Sequence, residues 1–332
     1  MVMAIRLGIV GMGRIGTQQL TCASDIPSVC VSAVSDPMAI EQSGEKPRPR
    51  WFSRCEEMLA QAELDAVSIC VPHHFHGSIA RAALEAGKHV LIEKPLALTV
   101  AEARDLVELA RRRERVFMVE LTHRFYPPVR QAAAMVRRGR LGDIYAVEDR
   151  IVEPAGAQIQ TWLTRKSTAG GGVALTNGIH MLDRIAFVTG HSLRLLDGSA
   201  GYSAALGDIE DAAAMLLSLD HGAPVQLLAA WPRGSGPGDD ELTIYGTRGT
   251  LRVWAWRGWR FESSDGGALE QQDCYSADDD AAARVRVGVK AAIEEFASAI
   301  LQQRAPDPSA EAALAAQELV EDFYQRAGRN KA

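Results

Sequence analysis

The chain has 332 residues, of which 47% are hydrophobic and 23% are charged, and its formal net charge is −6. This length suits two domains of roughly 100–200 residues each, and the composition argues against long disordered regions. The negative net charge argues against a nucleic-acid partner, because duplex-binding proteins are usually basic. No run of about 18 apolar residues is present, so no membrane span is predicted.

The cysteines and the first residues of the sequence bear on its compartment. A strand-like run, Ala4–Val10, begins almost at once, without a charged leader region or a cleavage site before it. The five cysteines show no paired spacing, which is typical of free thiols in a reducing compartment. We therefore expect a cytoplasmic protein.

Short apolar runs alternate with helical patterns over the first third of the chain. The predicted strands are Ile5–Val10, Val29–Ser35, Ala66–Val71, His89–Ile92 and Val116–Val119. Strands separated by helices predict an α/β fold with a parallel sheet. Two capping boxes, Ser53 with Glu56 and Thr99 with Glu102, predict helix starts within this pattern.

A glycine motif of the form GxGxxG follows the first strand directly and opens a helix. Its members are Gly11, Met12, Gly13, Arg14, Ile15 and Gly16. Gly11 permits a tight turn, Gly13 allows the backbone to approach a pyrophosphate, and Gly16 allows the helix to pack on the strand. The free N–H groups of the helix start would then face the phosphates. The motif predicts a dinucleotide-binding Rossmann domain.

The residue at the end of the second strand bears on the choice of dinucleotide. Asp36 lies twenty residues after Gly16, where a carboxylate accepts hydrogen bonds from ribose hydroxyls and repels a 2′-phosphate. We therefore predict NAD rather than NADP. Three nearby cations, Lys46, Arg48 and Arg50, leave NADP open.

The pattern changes after about residue 121. A helix is predicted over Pro128–Arg138, followed by a strand over Ile144–Val152 and by strands with alternating polarity. These are Ala212–Leu219, Val225–Ala230, Leu242–Tyr245 and Leu251–Trp256, with a loop at Gly234–Gly238 and two final helices, Ala281–Arg304 and Ser309–Arg326. Alternation of this kind predicts an antiparallel sheet with one solvated or partner-covered face. We expect domains at 1–121 and 122–332.

Two segments that follow strands could line the nicotinamide side of the site, because ligands of open α/β sheets lie at the carboxyl ends of strands. The first contains Val71, Pro72 and three histidines, His73, His74 and His76. No Cys, Asp or Glu follows at ligand spacing, so no metal is predicted. The second contains Glu93, Lys94 and Pro95. A lysine here would have a lowered pKa through burial and a cationic ring, although a packed surface lysine is the alternative.

Two further segments of the second domain could contact a substrate. Three glycines, Gly170 to Gly172, lead toward His180 and would allow a ligand to approach the backbone. Thr176, His180 and Asp183 share a face at helical spacing, and His180 is a candidate acid or base or a structural histidine. Upstream, Trp162, Arg165 and Lys166 could bind a sugar or an acidic group, or be an anchor with solvated charges. Trp254, Trp256 and Trp259 are interpreted as core or oligomer contacts.

Together these motifs resemble the Gfo/Idh/MocA family of glucose–fructose oxidoreductase and inositol 2-dehydrogenase. The resemblance rests on Gly11–Gly16, Val71-Pro72 with His76, Lys88–Ala97, Arg124-Phe125 with Pro127, Gly170–His180 and Tyr245–Leu251. It implies a Rossmann domain, then a domain whose large open sheet forms a homodimer or homotetramer. It also implies NAD-dependent oxidation of a secondary alcohol of a sugar or cyclitol, or the reverse reduction. Lys94 and His180 match the family's lysine and histidine.

The predicted cofactor contacts are Gly11–Gly16, Asp36, Val71, Pro72, His76, Glu93 and Lys94. The predicted substrate contacts are Lys94, Arg124, Trp162, Arg165, Lys166, Thr176, Asn177 and His180.

One position departs from the family pattern, which commonly carries an aspartate four residues before the histidine. Thr176 stands there in this chain. Two rival functions stay open. One is an enzyme that keeps NAD bound and oxidises its substrate only transiently. The other is a regulatory protein that senses NAD without turnover, which Thr176 favours slightly and which Lys94 and His180 argue against.

Overall fold

The computed structural model describes residues 4–38, 49–154, 159–203, 206–232, 238–267 and 269–329. The chain divides into two compact units. Unit 1 comprises Met1–Leu121 and Arg286–Leu314, and unit 2 comprises Thr122–Val285 and Ala315–Ala332. The segment Arg286–Leu314, which we expected in the second domain, therefore clusters with the first. The functional assignment of the two domains stays a prediction.

Unit 1 contains a six-stranded sheet in which every pair is parallel. Its strands are β1 (Ile5–Val10), β2 (Val29–Ser35), β3 (Arg50–Phe52), β4 (Ala66–Ile69), β5 (His89–Ile92) and β6 (Phe117–Val119), in the order β3-β2-β1-β4-β5-β6. The predicted parallel sheet is thus confirmed, with β3 as an additional edge strand. The strand order reverses between β1 and β4, and such a switch point creates a crevice at the carboxyl ends of the strands.

Four helices follow strands of unit 1: α1 (Arg14–Ala23), α2 (Cys55–Gln61), α3 (His76–Glu85) and α4 (Val100–Arg112). Thr99 caps α4 by accepting a hydrogen bond from the Glu102 amide, as the capping box predicts. The Ser53 capping box is wrong, because α2 begins one residue later than that motif requires. Its N-cap is Arg54, which makes no side-chain cap bond.

Unit 2 contains an eight-stranded sheet, and every pair except β10 with β7 is antiparallel. Its strands are β7 (Ile144–Val152), β8 (Leu193–Gly201), β9 (Ala212–Leu219), β10 (Pro224–Ala230), β11 (Asp239–Gly246), β12 (Gly249–Trp254), β13 (Gly258–Ser263) and β14 (Leu269–Asp273), in the order β14-β13-β12-β11-β7-β10-β9-β8. This confirms the mostly antiparallel sheet. Strands β8, β13 and β14 were not predicted.

The remaining helices are α5 (Pro127–Arg137), α6 (Lys166–Ala169), α7 (Ile179–Thr189), α8 (Ala281–Leu301) and α9 (Ala310–Arg329). Helix α7 is tied to the unit-2 sheet by buried charge. Arg184, which is 1% exposed, donates to Asp149 of β7 and to Asp240 of β11. Burial raises the pKa of the Asp149 carboxyl to about 6 despite the attraction of Arg184.

Three further predictions from the sequence can be compared with the structure. Strand β12 ends at Trp254, so Trp256 lies in the turn before β13 and not on the strand as predicted. The predicted loop at Gly234–Gly238 lies, apart from its last residue, outside the described residues. All five cysteines are free thiols.

Within the described ranges, the helices lack the length and apolar character that crossing a membrane requires.

Candidate active site

The glycine loop between β1 and α1 has the steric constraints that its motif predicts. Gly11 has a φ of +86°, and a Cβ there would lie 2.4 Å from the Cys70 carbonyl oxygen. A Cβ at Gly16 would lie 1.8 Å from the carbonyl oxygen of Gly11. Around Gly13, by contrast, no atom lies within 4 Å of a Cβ position. The loop is therefore closely packed on its strand side and open at Gly13, which fits a pyrophosphate at the start of α1.

Asp36 follows β2 and is fixed against this loop. Its Oδ2 accepts a hydrogen bond from the Met12 amide at 2.7 Å, and its Oδ1 accepts one from the Met38 amide at 2.9 Å. A carboxylate oxygen has two lone pairs, so each oxygen keeps capacity for a ribose hydroxyl. Among the cations that left NADP open, Arg50 donates to Gln61 at 2.8 Å. Lys46 and Arg48 lie outside the described residues.

His76 begins α3 and is fully buried. Its Nδ1 lies 2.6 Å from the Pro95 carbonyl oxygen and its Nε2 lies 2.9 Å from that of Val71. Burial lowers its pKa to about 4, although both carbonyls favour the charged form. The imidazole therefore joins the loop after β4 to the loop after β5. Val71 and Pro72 belong to the first of these loops.

Lys94 lies two residues after β5 in a partly buried loop and precedes a cis peptide bond to Pro95. Its amide donates to Oε2 of Glu93 at 3.2 Å. Burial raises the pKa of Glu93, while the charges of Lys94 and Arg14 oppose that rise. The segment thus brings a carboxyl group and an amino group to the carboxyl end of β5.

A buried polar chain, which the sequence analysis missed, lies within the same unit. Ser68 of β4 donates to Gln19 of α1, and Gln19 in turn donates to Glu120, the residue after β6. Burial, followed by the charge of Glu93, raises the pKa of Glu120 well above its usual range. These residues are spread over a hundred positions and carry no local motif, so only the sheet brings them together.

In unit 2, the three glycines before His180 serve the protein's own packing. A Cβ at Gly171 would lie 1.9 Å from the Tyr324 hydroxyl oxygen, and one at Gly172 would lie 1.9 Å from the Glu210 carbonyl oxygen. The expectation that this backbone opens toward a ligand is therefore corrected at these two positions. Here the close approach is made by Tyr324 and Glu210.

Glu210 is a second residue that the sequence analysis missed. Its carboxylate is buried and accepts hydrogen bonds from the amides of Gly172 and Ala174 and from the Tyr324 hydroxyl, at 2.8–3.0 Å. Burial raises its pKa, and these donors oppose the rise. Glu210 thereby holds the turn that leads into α7.

His180 lies in the first turn of α7 and is 9% exposed. Its ring stacks on His123, with ring centres 4.4 Å apart and planes 13° apart. Trp256 meets the edge of His123 at 6.3 Å, so a tryptophan interpreted as core or interface lies near this histidine pair. Thr176 occupies a π-helical turn, and its hydroxyl donates to the Gly172 carbonyl at 2.9 Å.

Two predicted substrate residues are held by neighbours in unit 2. Arg124 is buried and donates to both Asp183 oxygens, at 2.6–2.9 Å. Asn177 donates to Glu153 at 3.3 Å and accepts from the Trp231 indole at 3.0 Å. Both side chains are thus oriented by the fold before any ligand is considered.

The segment Trp162–Lys166 also lies in unit 2. Trp162 is half-buried and its indole donates to Gln160, whereas Arg165 and Lys166 are exposed. The Lys166 amide donates to Asp208 at 2.6 Å. The segment thus carries two exposed cations and a half-buried tryptophan.

Comparison with known proteins defines the class of this one. Residues 5–121 match the sequence model described as an oxidoreductase family with an NAD-binding Rossmann fold, and residues 129–252 match the GFO/IDH/MocA C-terminal domain. These matches define a family of oxidoreductases with an NAD-binding Rossmann domain. The chain belongs to the Gfo/Idh/MocA family.

Several relatives are similar over much of the chain. The D-glucoside 3-dehydrogenase of Escherichia coli is 33% identical over 56% of this chain and 54% of its own length. The rhizopine catabolism protein MocA of Rhizobium meliloti is 28% identical over 74% of this chain and 76% of its own. The scyllo-inositol dehydrogenase of Lactobacillus casei, solved with NAD(H) and scyllo-inositol, shares the fold. Its TM-score is 0.80 at 22% identity, over 98% of each chain. The match to the E. coli relative spans about half of that protein.

Proposed function

We propose that this protein transfers a hydride between NAD and a secondary alcohol or ketone of a sugar, a cyclitol or a related polyol. The observation that carries the proposal is the loop of Gly11–Gly16, which is open at Gly13 and fixed to Asp36 through the Met12 amide. Family membership and relatives named for D-glucoside and scyllo-inositol support the substrate class.

The residues of unit 1 would hold the cofactor. The amides of Arg14, Ile15 and Gly16 at the start of α1 would bind the pyrophosphate, and Asp36 would accept hydrogen bonds from the ribose hydroxyls. Val71, Pro72 and Glu93 would line the nicotinamide side, with His76 fixing their loops. Bound NAD supplies the hydride acceptor for oxidation, or the donor in its reduced form.

We propose Lys94 and His180, which match the family's lysine and histidine, as the residues that handle the substrate oxygen. The Lys94 ammonium would hold that oxygen, and the His180 imidazole would accept the hydroxyl proton as the alcohol becomes a ketone. Trp162, Arg165, Lys166, Thr176 and Asn177 would contact the remaining hydroxyls. Because Asp183 holds the buried Arg124 guanidinium, we assign Arg124 as a positioning residue for α7.

A panel of cyclitols, hexoses and uronates, assayed with NAD and with NADP, tests the proposal. The expected result is NADH formation with at least one polyol. An enzyme with permanently bound NAD would convert substrate without releasing NADH. A sensor would bind NAD and turn over nothing, and that result would remove the proposed activity.

Cofactor preference is a separate prediction. Asp36→Ser is expected to weaken NAD binding and to narrow the preference for NAD over NADP, because it removes the ribose acceptor and the charge that repels a 2′-phosphate. Asp36→Asn keeps an acceptor for the Met12 amide and separates that structural role from the charge. Dissociation constants of both cofactors measure the effect, with the exposed Asp25→Ser as the control. Equal affinities in the parent protein would contradict the assignment of Asp36.

We also propose a homodimer or homotetramer formed through the unit-2 sheet, in a cytoplasmic protein with free thiols. Large apolar side chains are exposed on three adjacent strands: Tyr145 of β7 (56% exposed), Leu228 of β10 (37%) and Leu216 of β9 (47%). Large apolar side chains that a sheet leaves exposed are candidates for an association surface.

Leu216→Lys is expected to shift the protein toward monomers, because it places a charge in the proposed contact. Light scattering after size-exclusion chromatography measures the mass. The control is Leu269→Lys, on edge strand β14, where the leucine is 60% exposed. If Leu216→Lys keeps the parental mass, this face is not the interface.

A further inference from the structure

Three potential metal ligands, none of which the sequence analysis singled out, meet in unit 2. His191 follows α7 after Gly190, and Asp220 and His221 lie in the turn between β9 and β10. One ligand atom from each lies within 4.8 Å of the others. The His191 Nδ1 lies 2.8 Å from Oδ1 of Asp220, and the His221 Nδ1 lies 3.4 Å from the same oxygen.

The orientation of His221 points to a cation at this place. Its Nε2 lies 2.8 Å from the carbonyl oxygen of Ile144, the first residue of β7. A carbonyl only accepts, so Nε2 carries the hydrogen and the Nδ1 of the neutral ring presents a lone pair to Asp220. Two lone pairs then face each other unless a proton or a metal ion lies between them. A ring N–H donated to a backbone carbonyl is also how metal-binding histidines are usually oriented.

The remaining features of the cluster fit a small cation from solvent. The other Asp220 oxygen accepts a hydrogen bond from the Ser192 amide at 3.3 Å, which fixes the carboxylate. Asp220 and His221 are exposed and His191 is half-exposed, so an ion can enter. The hydrogen on the His191 Nδ1 points to Asp220 while no metal is bound. His191 would become a ligand when this hydrogen moves to Nε2, a change of tautomer that leaves the ring neutral.

We propose that His191, Asp220 and His221 bind a divalent transition metal, with Zn²⁺ as the preferred ion. Two imidazole nitrogens and one carboxylate oxygen are ligands that Zn²⁺, Co²⁺ and Ni²⁺ accept, whereas Mg²⁺ and Ca²⁺ prefer oxygen alone. The ion would tie the end of α7 to the β9–β10 turn and to the start of β7. His180 lies at the other end of α7, a helix of 11 residues and so about 16 Å long. The role is therefore structural, and hydride transfer still needs no metal.

Titration of the full-length, tag-free and chelator-treated protein tests the proposal. We expect one equivalent of Zn²⁺ in calorimetry, a tetrahedral visible spectrum with Co²⁺, and a Zn²⁺-dependent rise in the unfolding temperature. His221→Ala and Asp220→Asn should each weaken binding by about 10-fold or more, and Mg²⁺ should not compete. His221→Gln keeps a donor for Ile144 and separates metal binding from local folding.

Two controls make the outcome decisive. Asp265→Asn removes an exposed aspartate from the turn between β13 and β14 and should leave Zn²⁺ binding unchanged. Cys30→Ser removes an exposed thiol that could bind Zn²⁺ by itself. The proposal is overturned if saturable binding is absent, if it survives in His221→Gln and Asp220→Asn, or if it disappears only with Cys30→Ser.

Discussion

Lys94→Ala is expected to reduce turnover by about 10²-fold or more, the usual scale for a group that handles the reacting proton. The dissociation constant for NAD should change little from that of the parent protein. The reason is that Lys94 is proposed to hold the substrate oxygen, while the glycine loop and Asp36 hold the cofactor. The measurements are kcat and KM on the substrate found in the polyol panel and the NAD dissociation constant by titration.

The matched control for this experiment is Lys88→Ala. Lys88 directly precedes β5 and its ammonium donates to the Leu64 carbonyl at 2.9 Å, whereas Lys94 follows the carboxyl end of the same strand. Ligands bind at the carboxyl ends of parallel strands, so Lys88→Ala should keep turnover. Near-parental turnover in Lys94→Ala, with NAD binding intact, would remove Lys94 from the mechanism.

Arg184→Leu is expected to cost about 3–5 kcal/mol of stability, because it leaves the Asp149 and Asp240 carboxylates without their buried cation. The loss should depend on pH. Without Arg184 the folded-state pKa of Asp149 rises further above its unfolded value, so the folded form binds more protons. Stability of the variant should therefore fall, relative to the parent, as pH rises from about 5 to about 8. Urea unfolding at both pH values measures this.

An exposed ion pair on the same strand provides the comparison. Arg150 of β7 pairs with Asp239 at 2.6 Å, and both side chains are about half exposed. Arg150→Leu should cost no more than about 1 kcal/mol, since solvent screens such pairs. The double variant Arg184→Leu with Asp149→Leu should regain part of the lost stability. It should also lose most of the pH dependence that Arg184→Leu introduces, because the Asp149 carboxyl is gone. If the Arg184 and Arg150 variants lose equal stability, the buried network is not what holds α7 on the sheet.

The sequence predicted the parts of this protein that rest on local rules. Alternation of apolar runs and helices indicated the parallel sheet, and alternating polarity indicated the antiparallel one. The glycine motif indicated the loop before α1, because the positive φ of Gly11 and the approach of Gly16 to the Gly11 carbonyl are constraints within the motif itself. Pairs at close spacing were also predictable, and the Thr99 capping box is an example.

Tertiary structure decided which distant side chains meet and which residues pack against Gly171 and Gly172. Ser68, Gln19 and Glu120 form one buried chain only because β4, α1 and β6 converge. His191 and Asp220 meet because α7 ends beside the β9–β10 turn. Gly171 and Gly172 are interpretable only with Tyr324 and Glu210 in place. By itself, then, the sequence determined most of the strands and helices, the dinucleotide motif and the family, because steric and periodic signals act over a few residues. The packing of its elements decided the burial, pairing and charge environment of each site residue, since those depend on contacts far apart in the chain.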